Sequence, residues 1–270
     1  MNHLSLLEVC LQKIRNQILP LIGSTEAGIE FGTGAGGDII KKIDLVAENA
    51  IIQTLENYDV SCTLISEETG TKKIGPKPSE FYVTADPIDG TTNALRGLPF
   101  IATSIATSET PHLHEVETAL VSDIFHNITY TAKRHQGAFR NEKKIKPSLI
   151  TSLEKAVVGV DFNTVRFEKL ATRLMPVLQK SRHLRHLGAN ALELCYVADG
   201  TTDAFIDLRG KLRVTDIAAA YLILLEAGGI MVTPEGTELN APLDAVQRVS
   251  FIATSNMPLC EIIRENLAER

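Results

Sequence analysis

The octapeptide Asp-Pro-Ile-Asp-Gly-Thr-Thr-Asn, residues 86–93, follows directly on the apolar run 81–85. Because the apolar run predicts a short buried strand, the side chains of Asp86 and Asp89 leave the end of that strand together. Ile88 stands between them and can offer its backbone carbonyl. Carboxylate and carbonyl oxygens in one tight turn are the ligands that hard cations such as Mg²⁺ prefer. The octapeptide therefore predicts a metal site at the end of a strand.

The second half of the octapeptide predicts a place for an anion. Gly90 allows the backbone to approach a ligand closely, and Thr91 adds a hydroxyl group. A helix that begins here would direct its positive end at a phosphate. A hydrated turn capped by Asp89 is the structural alternative, because Asp-Gly turns are common. The length of the whole motif favours the functional interpretation.

Three further acidic residues stand where predicted elements begin or end. Glu67 follows the predicted strand 62–66, whereas Asp44 and Asp216 open predicted helices. Taken singly, each has a simpler explanation: an exposed acidic loop for Glu67, and helix capping or a solvated helix face for the two aspartates. Only together with the octapeptide do they indicate a common site.

The order of the predicted elements places a mostly antiparallel α+β half before an α/β half. A glycine-rich loop is predicted over 31–38, and the basic segment 141–147 is the predicted boundary between the halves. The predicted helices are 5–21, 44–55, 167–178, 189–198, 216–227 and 258–267. The predicted strands are 62–66, 81–85, 101–107, 118–123, 128–132, 157–161, 203–208, 230–233 and 251–254.

Composition narrows the class of protein. The 270 residues are 44% hydrophobic and 22% charged, with a formal net charge of −6. A mildly acidic chain without a basic cluster is a poor candidate for binding nucleic acid or an anionic membrane. No apolar run is long enough to span a bilayer, and the first residues do not resemble a secretory signal. The scattered cysteines predict buried, reduced thiols, so we expect a cytoplasmic enzyme.

Together these motifs resemble the inositol monophosphatase family of metal-dependent phosphatases, and the resemblance covers nearly the whole chain. The octapeptide is similar to the first motif of the family, and Asp-Ile-Ala-Ala at 216–219 with Glu-Ala-Gly-Gly at 226–229 is similar to its second. Residues 66–68 and 188–200 match two further segments. Residues 41–48 and 207–213 resemble the archaeal branch, which acts on inositol-1-phosphate and fructose-1,6-bisphosphate. The tryptophans that usually accompany both motifs are missing, which implies altered packing.

The resemblance implies a fold of mixed α+β and α/β character, a layered αβαβα sandwich of the sugar phosphatase type. It implies an N-terminal half, 1–145, that carries most metal ligands. It also implies a C-terminal half, 146–270, that carries Asp216 and the substrate pocket. A homodimer is expected on the same ground.

The resemblance also implies a role for each candidate site residue. Two Mg²⁺ ions, or Mn²⁺ in their place, would be held by Glu67, Asp86, Ile88, Asp89 and Asp216. The catalytic residues would be Glu67, Thr91 and Asp44, which orient a metal-activated water, and Asp44 would help to position a third, weaker ion. The phosphorylated sugar or polyol would be contacted by Asp89, Gly90, Thr91, Arg185, Asn190 and Arg209.

Two other functions stay open at this point. Related branches of the family hydrolyse 3′-phosphoadenosine 5′-phosphate or the 2′-phosphate of NADP with the same metal ligands. The chain has nine Phe, five Tyr and no Trp, so residues that could stack an adenine are few. A non-catalytic sugar-phosphate-binding protein should have lost a metal carboxylate, and none is lost here. The Gly32-x-Gly34-x-x-Gly37 pattern lacks a preceding apolar strand, which favours a flexible loop near the metals over a dinucleotide site.

Overall fold

A computed structural model of the chain describes residues 2–267. Every helix and strand predicted from the sequence is present, although most ends differ by a few residues. The helices are α1 (His3–Ile18), α2 (Lys42–Asn57), α3 (Thr91–Arg96), α4 (Phe167–Lys180), α5 (Asn190–Ala198), α6 (Val214–Ala227) and α7 (Met257–Glu265). The strands are β1 (Glu30–Thr33), β2 (Ile39–Lys41), β3 (Cys62–Ser66), β4 (Gly70–Ile74), β5 (Phe81–Asp89), β6 (Ala102–Ser108), β7 (Val116–Asp123), β8 (Ile128–Lys133), β9 (Gly137–Arg140), β10 (Lys143–Lys144), β11 (Val157–Val160), β12 (His183–Arg185), β13 (Ala204–Arg213), β14 (Ile230–Val232) and β15 (Arg248–Thr254).

The first sheet has eight strands in the order β10-β9-β8-β7-β6-β5-β3-β4. Neighbouring strands are antiparallel except β3 and β5, which run parallel with Ser66 opposite Ala85. The carboxyl ends of parallel neighbours meet at the same edge of a sheet. The acidic residues that follow Ser66 and Ala85 are therefore brought to one place.

Helices α1 and α2 cover one face of the eight-stranded sheet. Leu7, Cys10, Ile14 and Ile18 recur along α1 at helical spacing, and all four are fully buried. They form one core with apolar residues of α2 and of the sheet. Helices α1 and α2 therefore form the outermost layer on this side of the sheet, with the apolar face of α1 turned inward as its sequence pattern predicts.

The second sheet has five strands in the order β12-β11-β13-β15-β14, and β11 runs parallel to both of its neighbours. Helices α4 and α7 cover its outer face. Leu174 and Val177 of α4 and Ile263 of α7 are fully buried against Ile206 and Ile252 of the sheet.

Helices α5 and α6 fill the space between the two sheets. Every residue of α6 from Val214 to Leu224 is buried, as expected for a helix that is apolar nearly all round. The same core includes Val121 of the first sheet and Phe251 of the second. The layers are therefore α1/α2, the eight-stranded sheet, α5/α6, the five-stranded sheet and α4/α7. This order confirms the predicted αβαβα sandwich.

One expected loop is partly a hairpin. The sequence predicts a loop over 31–38, but β1 extends to Thr33 and pairs antiparallel with β2, which begins at Ile39. The four cysteines are buried, as predicted.

No helix within residues 2–267 has the length and apolar character needed to cross a membrane. The division of the chain at 145/146 stays a prediction.

Candidate active site

Strand β5 ends in an irregular turn that carries the octapeptide. It pairs with β6 as far as Asp86, but the register shifts between Asp86 and Asp89, so the segment bulges. Pro87 has no N–H to donate and is tolerated at such a bulge. Its carbonyl accepts a hydrogen bond from Thr103 Oγ1 at 2.7 Å, and Asp86 Oδ1 accepts the N–H of Ile88 at 3.2 Å. These bonds fix the turn without using all of its oxygens.

Three carboxylates from distant parts of the chain meet beside this turn. Glu67 follows β3, Asp86 lies near the end of β5, and Asp216 lies in the first turn of α6. One oxygen of each lies within 4.8 Å of the others, and Asp86 and Asp216 are 4% and 5% exposed. The structure therefore brings together three of the residues predicted to hold metal. We call them the acidic cluster.

Asp44 and Asp216 occupy equivalent positions in two helices. The sequence predicts that each opens its helix, but α2 and α6 both begin two residues earlier. Asp44 Oδ2 accepts the N–H of Lys41, and Asp216 Oδ2 accepts the N–H of Arg213, each at 3.0 Å. Helix capping and a place in the site are therefore compatible. The starts are misjudged because Lys and Arg are not typical N-cap residues.

A second group of oxygens surrounds Thr91 at the start of α3. Thr91 Oγ1 lies 2.9 Å from Asp44 Oδ1 and 3.2 Å from the carbonyl oxygen of Ile88. A hydroxyl group has one proton, so it donates to one of these acceptors at a time and can still accept a bond. Burial is the main reason that the pKa of Asp44 is raised, to about 6. Asp44 is therefore mostly ionised at neutral pH.

Asp89 faces the second half of the chain. Its two oxygens accept the N–H groups of Asn190 and Ala191, at 2.9 and 2.7 Å, where α5 begins. The side-chain oxygen of Asn190 is buried and has no hydrogen-bond partner within residues 2–267. Because a buried polar atom without a partner is costly, Asn190 marks a place where a ligand hydroxyl could donate.

Gly90 and Asn93 of the octapeptide have structural reasons for their identity. Gly90 has φ +90°, and a Cβ there would lie 3.0 Å from the carbonyl oxygen of Gly188 and 3.1 Å from that of Phe100. Only glycine meets both demands without strain. Asn93 Nδ2 donates to the carbonyl oxygens of Phe100 and Leu187, at 2.8 Å each. These bonds hold the turn against the segment that leads into α5.

The carboxylates of the site repel one another in a buried setting. Burial, and then the charge of Asp216, raise the pKa of Glu67 to about 9. The same two causes raise the pKa of Asp86 well above its ordinary value. Burial also raises the pKa of Asp216, and raises that of Asp89 to about 7. A cation placed among these oxygens would favour their ionised forms.

Arg213 already places one positive charge at the acidic cluster. Its Nη1 lies 2.6 Å from Glu67 Oε1 and 4.0 Å from Asp216 Oδ2, and its Nη2 pairs with Asp38. Sequence reasoning did not identify Arg213 as a site residue. The available signal was its position at the start of a helix, where a cation is electrostatically unfavourable unless carboxylates surround it.

The segment 34–38, which we call the glycine-rich segment, lies against the acidic turn after β3. The N–H groups of Ala35 and Gly36 donate to the carbonyl oxygens of Glu68 and Glu67, at 2.9 Å each. The carbonyl of Gly36 accepts a hydrogen bond from Arg248 Nη2 at 2.7 Å. The segment therefore lies next to the acidic cluster and is held there by backbone bonds.

The two predicted substrate arginines make other contacts. The Arg209 side chain is only 7% exposed and forms ion pairs with Asp161 and Asp207. Arg185 is exposed on the edge strand β12, where its Nη1 donates to the carbonyl of Leu184 at 2.8 Å. Within residues 2–267, neither guanidinium contacts a carboxylate of the acidic cluster. Their predicted contact with substrate stays a prediction.

The donors of the acidic cluster fit a hard divalent cation. They are oxygens only, they converge from three elements, and more negative than positive charge is buried there. Oxygen donors of this kind select Mg²⁺, Mn²⁺ or Ca²⁺ over softer metals. Glu67, Asp86 and Asp216 are thus the residues that could hold a metal ion.

We predict that the metal-free protein loses stability as the pH rises from 5 to 9. A carboxyl group whose pKa is raised by folding keeps its proton longer in the folded state. Its contribution is complete below the unfolded value, about pH 4. The contribution is lost as the pH rises through the folded pKa, about 7 for Asp89 and about 9 for Glu67. Thermal melts with EDTA should show this fall, and saturating Mg²⁺ should flatten it.

Comparison with known proteins agrees with the geometry. Residues 7–268 match the model of the inositol monophosphatase family. The fructose-1,6-bisphosphatase/inositol-1-monophosphatase of Methanothermobacter thermautotrophicus is 38% identical over 95% of this chain and 93% of its own. The layered fold, the acidic cluster and these matches define a phosphoric monoester hydrolase. The chain belongs to the inositol monophosphatase family.

Two further relatives bear on the fold and the substrate. A crystal structure of an inositol monophosphatase–fructose 1,6-bisphosphatase is 30% identical, superposes with a TM-score of 0.87, and is matched over 99% of this chain and 100% of that one. The bifunctional NADP phosphatase/NAD kinase of Methanococcus maripaludis is 35% identical over 90% of this chain. The match spans 45% of that longer protein.

Proposed function

We propose that the chain is a Mg²⁺-dependent phosphomonoesterase that hydrolyses inositol-1-phosphate, fructose-1,6-bisphosphate or both. The observation that carries the proposal is the meeting of Glu67, Asp86 and Asp216 beside the Asp44–Thr91 pair. Carboxylates alone would repel a phosphate ester, but carboxylates that hold divalent cations attract it. The names of the archaeal relatives support the same substrate class.

The metal ligands would be the oxygen donors predicted from the sequence. Two Mg²⁺ ions would be held by Glu67, Asp86, Ile88, Asp89 and Asp216. A third, weaker ion would lie near Asp44, and Mn²⁺ would suit the same oxygens. When bound, the cations would neutralise the phosphate and lower the pKa of a water molecule.

Thr91 and Asp44 would orient the attacking water and receive its proton. Thr91 Oγ1 can accept a hydrogen bond from water while it donates to Asp44 Oδ1 at 2.9 Å. Asp44, with a pKa of about 6, is mostly ionised at neutral pH and is able to take a proton. Glu67 would lie close to the same water and help to orient it.

The ester itself would be held by backbone and side-chain donors and acceptors. The N–H groups of Gly90 and Thr91 at the start of α3 would bind phosphate oxygens. The buried side-chain oxygen of Asn190 has no hydrogen-bond partner in the described chain. It would accept a hydrogen bond from a hydroxyl group of the sugar or polyol. Arg185 is exposed and could reach a second phosphate, whereas Arg209 would first have to loosen its ion pairs.

We predict that Thr91→Val lowers kcat about 100-fold, the lower part of the range for a lost proton-transfer group. Valine keeps the size of threonine but cannot accept a bond from water or donate to Asp44. Thr92→Val, in the next and exposed position of α3, is the matched control and should keep the wild-type kcat. Steady-state kinetics with inositol-1-phosphate measures both, and equal losses in the two variants would exclude the Thr91–Asp44 pair.

Hydrolysis of the 2′-phosphate of NADP is the second candidate function. A relative that is 35% identical over 90% of this chain is named as an NADP phosphatase/NAD kinase. Comparing kcat/KM for inositol-1-phosphate, fructose-1,6-bisphosphate and NADP would decide between the candidates. A ratio that favours NADP more than about tenfold, or 1.4 kcal/mol, would replace the sugar phosphate proposal.

Metal dependence has its own test. Phosphate release should stop with EDTA and return with Mg²⁺ or Mn²⁺. Asp89→Asn should lose most of the activity, and unchanged phosphate release in that variant would exclude the metal mechanism. A cytoplasmic homodimer without nucleic-acid or membrane partners stays a prediction, which sedimentation of the purified protein can check for the dimer.

A further inference from the structure

A cavity of about 790 Å³ lies outside the acidic cluster. It opens between α4, the β13 residues Leu208–Gly210, the start of β15 and the segment 233–241. None of the acidic residues proposed to hold metal lines it. Of the residues predicted to contact substrate, Arg209 lines it, whereas Asp89, Gly90, Thr91, Arg185 and Asn190 do not. Its volume is in the range of sites that bind small organic molecules. We call it the outer cavity.

The lining of the outer cavity is strongly basic. Five of its side chains are cationic and one is acidic, Glu235; the cations are Arg166, Lys169, Arg173, Arg209 and Arg248. Arg209 is balanced by Asp161 and Asp207. Within residues 2–267, Arg166, Lys169 and Arg248 form no ion pair. In a chain with a net charge of −6, unbalanced cations around one concave surface are an arrangement that attracts anions.

The floor of the outer cavity is apolar. Leu170, Leu239 and Val249 lie there with exposures of 7%, 4% and 7%. An inorganic anion would leave this surface uncovered, whereas a molecule with an organic part would cover it and gain from the burial. Guanidinium groups bind phosphate oxygens in pairs and carry a permanent charge. The lining therefore suits a phosphate group attached to an organic body.

We propose that the outer cavity is a second ligand site, which binds a phosphorylated organic molecule and is separate from the acidic cluster. Arg248 links the two places. Its Nη2 donates to the carbonyl of Gly36 at 2.7 Å, in the glycine-rich segment that Arg213 connects to Glu67. The pKa of Arg248 is lowered by burial and by the charge of Arg213, so an anion beside it would be favourable. A ligand that draws Arg248 into the outer cavity would loosen the glycine-rich segment, and the effect is reciprocal by linkage.

The test is a calorimetric titration of the full chain with ADP in the absence of divalent cations, where the acidic cluster repels phosphate. Wild-type protein should bind ADP at one site. Arg166→Glu and Lys169→Glu, both at exposed positions, should each weaken binding about tenfold, or 1.4 kcal/mol. Lys143→Glu, an exposed charge reversal on β10, should bind as the wild type does. Equal affinity in all four proteins, or no binding by the wild type, would overturn the second site.

Two further measurements separate the outer cavity from the catalytic site. Asp216→Asn should bind ADP with wild-type affinity even though its hydrolytic activity is lost, whereas loss of ADP binding would assign the ligand to the acidic cluster and overturn the proposal. Lys169→Glu should hydrolyse inositol-1-phosphate at the wild-type rate. Hydrogen exchange should show faster exchange at Ala35 and Gly36 when ADP is bound to the wild type, and unchanged exchange would refute the link through Arg248.

Discussion

Asp86→Asn should abolish phosphate release and, at the same time, stabilise the metal-free protein. Activity should fall more than about 100-fold. Even the removal of a residue that only hydrogen-bonds a metal ligand lowers metal affinity or activity 10–100-fold, and Asp86 is proposed to be a ligand itself. The gain in stability, about 1–2 kcal/mol, follows from burial. Asp86 is 4% exposed, and burial and the charge of Asp216 raise its pKa. Asparagine is neutral without taking up a proton on folding, so it avoids this cost, and it can still accept the N–H of Ile88.

Asp199→Asn is the matched control for this result. The side chain of Asp199 is also only 4% exposed, but its carboxylate pairs with Arg140 at 3.1 Å and accepts the hydroxyl of Tyr130 at 2.8 Å. Removing that charge should destabilise the protein and leave hydrolysis unchanged. Thermal melts with EDTA and a phosphate-release assay with Mg²⁺ measure both properties. A destabilised Asp86→Asn would show that repulsion does not dominate at the acidic cluster, and an active one would refute the proposed metal site.

The layers of the fold could be predicted because the decisive signals are local. The spacing of Leu7, Cys10, Ile14 and Ile18 predicts a helix with one buried face, and α1 shows that face. The uninterrupted apolar character of α6 predicts burial on all sides, and it lies between the sheets. Patterns of this kind report burial, which determines how layers stack.

The meeting of the three carboxylates could be expected only through the motifs. Glu67 and Asp86 follow parallel neighbouring strands, so their closeness has a topological cause once β3 and β5 are known to be adjacent. Asp216 is more than a hundred residues farther along the chain, and no local pattern relates it to Asp86. The resemblance to a family supplied that link, and the geometry of the cluster now supports it independently.

Contacts between distant polar side chains could not be predicted. Arg213 lies between a predicted strand and a predicted helix. No feature of the neighbouring sequence predicts its ion pairs with Glu67 and Asp38. Arg209 has a predicted role in binding substrate, yet it lies between Asp161 and Asp207. Partner choice depends on side-chain directions in the folded chain, which sequence spacing does not encode.

Arg213→Gln should have opposite effects on the stability of the metal-free protein and on its affinity for Mg²⁺. The Arg213 side chain is 7% exposed and lies 2.6 Å from Glu67. Breaking a buried pair leaves the other charge unbalanced and costs about 3 kcal/mol. The same guanidinium contacts Glu67, a residue proposed to hold metal, so its removal should tighten Mg²⁺ binding. Thermal melts with EDTA and calorimetric titration with Mg²⁺ measure the two effects.

Arg213→Lys separates charge from geometry. Lysine keeps a cation near Glu67 but lacks the fork that lets one guanidinium pair with Glu67 and Asp38 together. It should therefore restore much of the stability while the glycine-rich segment still exchanges its amide protons faster than in the wild type. Weaker Mg²⁺ binding in Arg213→Gln would mean that the arginine assists the metal rather than competing with it. Two results together would support the role of Arg213: tighter Mg²⁺ binding in Arg213→Gln, and faster amide exchange at Gly36 in both variants. They would show that the guanidinium of Arg213 connects the acidic cluster to the glycine-rich segment in the metal-free protein and competes with the metal ion for the cluster.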